Sequence, residues 1–92
     1  MATKSVDFTA TTKGGVTAYI VDAAMVQVLP GTGSVDVEIG VKQLLVWQFA
    51  GMPGDSLSIT GKVGEQTVVE VTDSTVPPGS NHGGGVKHFT VT

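Results

Sequence analysis

The run Leu44-Leu45-Val46-Trp47-Gln48-Phe49 decides how this chain is read. It carries the only tryptophan and the densest cluster of large apolar side chains. In an extended strand successive side chains point to opposite faces, so Leu45, Trp47 and Phe49 share one face and Leu44 and Val46 the other. Both faces are mostly apolar, which predicts a strand covered on both sides. The domain's own core covers the first face. A second sheet, a loop or a partner subunit must cover the other.

Working outward, shorter and more dilute strands surround this run. Val6, Phe8 and Ala10 alternate with Asp7, Thr9 and Thr11, the pattern of a half-buried strand. Lys13-Gly14-Gly15 then predicts a tight hairpin returning through Val16 to Val21. Asp22 to Leu29 fits either a short helix capped by Asp22 or a strand. The β-branched Val26 and Val28, running into the turn pair Pro30-Gly31, favour the strand. Val35, Val37, Ile39 and Val41 alternate with Asp36, Glu38, Gly40 and Lys42. The link to the central run is so short that it predicts a hairpin near Lys42-Gln43 or a single strand bent there.

Downstream, the turn Gly51 to Asp55 precedes Leu57 and Ile59, and Gly61 to Glu65 turns again before Val69 and Val71. Val68 beside Val69 is a second, weaker case of apolar residues on both faces. Residues 77–85, rich in glycine and proline, read as a mobile loop. Phe89 and Val91 share the inner face of the last strand. Seven or eight short strands at this spacing predict one all-β domain over residues 1–92. Its expected form is a small antiparallel β-sandwich of immunoglobulin- or fibronectin-like architecture, or a partly open barrel. The cysteine pair of antibody domains is missing, so the likeness concerns architecture and carries no function.

Composition narrows the function classes. The chain of 92 residues has 40% hydrophobic and 14% charged residues, enough apolar content for one thin core. All five basic residues are lysines, and the formal net charge is −3. Without arginine, the residue that grips phosphate and guanine edges in a bidentate fork, nucleic acid is not an expected partner. No apolar run approaches the roughly 18–20 residues that span a bilayer, and no membrane partner is expected. The first residues lack the apolar core of a secretory signal, and there is no cysteine. These features suit a cytoplasmic protein or one exported after processing.

Candidate chemistry is sparse. His82 and His88 offer imidazole ligands, but their spacing fits no compact zinc motif and Asp73 is the only carboxylate nearby in sequence. Ser80 and His82 resemble a nucleophile and base, yet they stand in a flexible segment without a rigid support. Gly61-Lys62-Val63-Gly64 matches a nucleic-acid clamp only in its glycines, because that clamp joins helices in a basic domain. Asp36 and Glu38 alternate with core valines and keep their face wet. The expectation is therefore a non-catalytic module, with no cofactor and no metal. It acts by protein interaction, including self-association, or by structural association, through a surface containing Leu44 and Val46. The alternative is a small ligand- or carbohydrate-binding module using Trp47 or His82.

Overall fold

The computed structural model describes residues 2–24 and 26–92. It is all-β: eight strands form two four-stranded antiparallel sheets packed face to face. The strands are β1 (Thr3–Lys13), β2 (Ala18–Ala23), β3 (Val26–Val28), β4 (Thr32–Glu38), β5 (Lys42–Ala50), β6 (Ser56–Val63), β7 (Gln66–Thr75) and β8 (His82–Thr90). One sheet, called A, runs β4-β1-β6-β7; the other, B, runs β3-β2-β5-β8. The apolar members of each alternation meet between the sheets: Val6 and Phe8, Val35 and Val37, Leu57 and Ile59 from sheet A pack on Val21, Leu45, Trp47, Phe49 and Phe89 from sheet B. The expected two-layer sandwich is the fold.

The connections depart from the sequence reading in three places. Gly14-Gly15 does not close a hairpin, because β1 and β2 lie in different sheets and the glycines carry the chain across the end of the sandwich. The β4–β5 link is also a crossover. Gly40 turns there with φ of 82°, which ends the alternation before Val41 and leaves that valine exposed. Only β2–β3 and β6–β7 are sequential hairpins. The first of these resolves the stretch 22–29 into strands on either side of Ala24, Met25 itself lying outside the described residues. The loop placed at 77–85 is shorter than expected, since His82 to Gly85 pair with Ala50 to Trp47 as the start of β8. Pro30-Gly31, Pro53-Gly54 and Pro78-Gly79 each turn the chain. Gly31, Gly54 and Gly79 all have positive φ, the conformation that follows proline in a type II turn.

Two bulges in β7 explain its awkward side-chain phase. Gly61 pairs with Val69 but Lys62 pairs with Thr67, so Val68 is the extra residue, and Val68 and Val69 can both be at least half-buried. Leu57 pairs with Ser74 while Ile59 pairs with Val71, so Thr72 and Asp73 form a second bulge. Asp73 adopts φ of 48° there, and its N–H donates to Ser58 Oγ at 3.0 Å. The bulge shifts the phase, turning Ser74 and Val76 inward where Asp73 and Thr75 would otherwise point.

The few aromatic rings are housed over glycines. A Cβ on Gly61 would lie 2.8 Å from the Phe8 ring, one on Gly83 2.7 Å from Phe49, and one on Gly85 2.7 Å from Trp47. In each case the glycine faces the ring from the adjacent strand, the arrangement in which a cross-strand aromatic covers the bare backbone. Phe8 then meets Phe89 edge-on, centroids 6.0 Å apart, linking sheet A to sheet B. At one end of the sandwich both ends of the chain tie to the β4–β5 turn. Ile39 N–H donates to Ala2 O at 3.0 Å, Gly40 N–H to Val91 O at 2.8 Å, and Lys4 Nζ to Thr92 O at 3.0 Å.

Candidate interaction face

The two outer faces have opposite chemistry. Sheet A presents Ser5, Asp7, Thr9 and Thr11 from β1, Ser34 and Asp36 from β4, Lys62 from β6 and Glu70 from β7. Ser34 Oγ donates to Asp7 Oδ1 at 2.6 Å, and the row Thr32-Thr9-Thr60 crosses three strands. This is a face built to stay hydrated.

Sheet B is otherwise. Its register stacks outward side chains in rows: Ala18-Ala50-His82, then Ile20-Gln48-Gly84, then Asp22-Val46-Val86, then Leu44-His88. Ile20, Leu44 and Val86 are 46%, 38% and 61% exposed, and Val46 between them is half-buried. Leu44 and Val46 thus stand where the alternation of β5 puts them. The expected cover is not supplied, however: no other element of the described chain lies over them. β5 is a central strand with its inner face in the core and its outer face open.

A shallow groove of about 600 Å³ runs across this face, lined by Ile20, Val46, Gln48, Ala50, His82, Gly84 and Val86 among others. Gly84 makes the dent. A Cβ there would fall 2.5 Å from the Trp47 carbonyl oxygen, so β8 presses against β5 more closely than any side chain would allow. The polar groups that reach the groove are few: Gln48 in its middle row and His82 at its end.

Trp47 and His82 occupy different worlds. The indole of Trp47 is 7% exposed, and its Nε1–H crosses the sandwich to donate to Ser74 Oγ on β7 at 3.0 Å. Its ring face is therefore turned to the core rather than offered to a sugar. His82 is exposed at the groove's end, its Nδ1 3.2 Å from Asn81 Oδ1. Ser80 Oγ donates to the His82 carbonyl at 3.1 Å and accepts from the His82 N–H at 3.4 Å. The hydroxyl is engaged in local turn structure, and no carboxylate orients the imidazole. His88 points outward on the same strand six residues away, roughly 20 Å at strand rise, so the histidines do not converge. Asp73 lies with Lys13, at 3.5 Å. Among the described residues no three His, Asp or Glu side chains cluster as metal ligands.

No known family, curated protein or solved structure matches this chain. No helix of the described residues is long and apolar enough to cross a membrane. The face therefore has to be read from its own chemistry. Ile20, Gly84 and Val86 belong to it, and the sequence reading did not place them there. A signal existed for the first: Ala18-Tyr19-Ile20-Val21 is apolar on both faces, like the central run. Gly84 had none, because glycine beside two further glycines is indistinguishable from a loop until its partner strand is known.

Proposed function

We propose that this domain is a non-catalytic interaction module that docks another protein on the outer face of sheet B. The observation that carries the reading is the contrast between the two outer faces. Sheet A covers itself with hydroxyls and charges, whereas sheet B sets Ile20, Val46 and Val86 along an apolar groove, with the exposed Leu44 in the next row. Scattered apolar residues are ordinary on a surface; contiguous ones rimmed by polar groups mark contact sites. The rim here is Asp22, Gln27, His82 and His88. The test is a triple substitution, Ile20→Thr, Leu44→Thr and Val46→Thr, which keeps β propensity and removes the apolar surface. Binding of an apolar fluorescent dye, and retention of partner protein on the immobilised domain, should both fall with unfolding stability little changed. Equal retention by the variant and the parent would refute the reading.

A second reading has one observation in its favour. The groove falls within the roughly 300–1,000 Å³ typical of small-ligand sites. Such a ligand would be apolar, with His82 and Gln48 as its polar contacts. Titration of small aromatic and saccharide probes, followed by amide shifts of β2, β5 and β8, separates this reading from protein docking.

A further inference from the structure

We infer that the domain self-associates through its β8 edge, two copies pairing antiparallel about Val86 to join their B sheets into one. The inference concerns the edge of sheet B, so it goes beyond the docking of a protein on its face and is tested separately.

Four strands end the two sheets, and they differ in how they discourage pairing. β3 is only three residues long. β4 carries the carboxylates of Asp36 and Glu38. β7 is kinked by two bulges, and its Glu70 carbonyl is occupied by Lys87 Nζ at 2.7 Å. Short length, charge and bulges are the devices by which natural sheets protect their edges. β8 carries one such device, Lys87, and is otherwise the most regular of the four edges. It pairs with β5 over nine consecutive positions without a register shift, and it contains no carboxylate. Its one full cation, Lys87, is already engaged across the sandwich with β7. The backbone at Gly83 to Gly85 carries no side chains of its own, and Gly84 is exposed.

Size and charge select both the partner and the register. β8 reads small residues at 83–85, then Val86, then large ones at 87–89. Antiparallel pairing centred on Val86 sets Gly85 against Lys87 of the second copy, Gly84 against His88 and Gly83 against Phe89. Lys87, His88 and Phe89 each then meet a glycine, and the imidazole of His88 seats in the dent that Gly84 leaves. Moving the centre to Gly85 would set one imidazole ring on another, His82 on His88, and forfeit the glycine partner of His88; moving it to Lys87 would set lysine directly against lysine. Like charges directly opposite destabilise a strand pair. The strand is thus complementary to itself in one register, which is what a two-fold contact requires. Across the axis Val86 meets Val86, with Val46 on either side, so the apolar rows of the two copies become continuous.

The contact is small. Nine residues of β8 from each copy compare with roughly 20–30 per side in a standard interface, so the dimer forms at high concentration and dissociates on dilution. The test is sedimentation equilibrium of the whole chain up to roughly millimolar concentration, a dissociation constant of 1 mM corresponding to about −4 kcal/mol. The variants are Val86→Lys and Val86→Glu, at a position 61% exposed and free to accept either charge without unfolding. The parent should dimerise, and each variant alone should associate at least about tenfold more weakly. An equimolar mixture of the two should recover a heterodimer that salt weakens. A parent that stays monomeric throughout overturns the inference, while leaving the proposed use of the sheet face untouched. So does a dimer that neither substitution affects, or a mixture that fails to associate where the parent does.

Discussion

Replacing Gly61 with alanine tests whether the glycine–aromatic pairs are packing devices. The new methyl group would stand 2.6 Å from Val69 Cγ1 and 2.8 Å from Phe8 Cε1. Carbon atoms in contact rest about 3.5–4.0 Å apart, so the overlap is about 1 Å on two sides. The valine end can rotate, but the Phe8 ring cannot leave: it is fully buried on a central strand and held edge-on by Phe89. Overpacking of this kind costs about 1–3 kcal/mol, against which alanine recovers about 0.5–1 kcal/mol of the chain entropy that glycine loses on folding. Two simultaneous clashes put the cost at the upper end of that range, so a net loss of about 2 kcal/mol is expected, from a total of about 5–14 kcal/mol for a domain of this length. Urea unfolding followed by the emission of Trp47, the single tryptophan, gives the number. The second half of the experiment is Phe8→Leu. Alone it is destabilising; combined with Gly61→Ala it should cost less than the sum, by roughly 1 kcal/mol. A Gly61→Ala protein as stable as the parent, or two strictly additive costs, would refute the account.

Other substitutions follow from the same structure. Gly85→Ala, facing Trp47 from an edge strand that can move outward, should cost less than Gly61→Ala, about 1 kcal/mol in the same urea assay. Ser74→Ala leaves the indole N–H of Trp47 without its acceptor. About 1–2 kcal/mol should be lost, and the tryptophan emission should change even in the folded protein. Asp73→Gly should be tolerated because φ of 48° suits glycine, whereas Asp73→Val should cost about 1–2 kcal/mol by thermal unfolding. Lys13→Ala, which removes only the exposed ion pair with Asp73, should change stability by less than about 1 kcal/mol, and added salt should shrink that difference further.

Alternation carries its message in this chain only where one face is wet. Val6 and Phe8, Val35 and Val37, Leu57 and Ile59 each have hydroxyl or charged neighbours, and all six are buried as their period requires. For β5 the same logic separates Leu45, Trp47 and Phe49 from Leu44 and Val46 but cannot say what lies beyond the second set, because an apolar face looks alike whether covered by the chain or left open. The topology was less legible. Gly14-Gly15 and the Gly40 turn have hairpin composition, but whether a turn returns within a sheet or crosses to its partner depends on long-range packing that local residues do not encode. β8 was half-hidden for a different reason: Gly83 to Gly85 have no intrinsic strand preference, and their place is decided by Phe49 and Trp47, more than thirty positions earlier. The groove was hidden with them.

The ties of Ala2 and Val91 to the adjacent residues Ile39 and Gly40 have a mechanical consequence. Tension applied through the two ends of the chain pulls at one pole of the sandwich, where β8, an edge strand, finishes at the Lys42–Thr90 pair. The load does not shear β8 along its length. It peels the strand from β5 pair by pair toward His82, so each rung bears the force alone. A domain strung this way yields softly under traction, withdrawing Phe89 from Phe8 and then the glycines beneath Trp47 and Phe49 while the strand pairing within sheet A still holds.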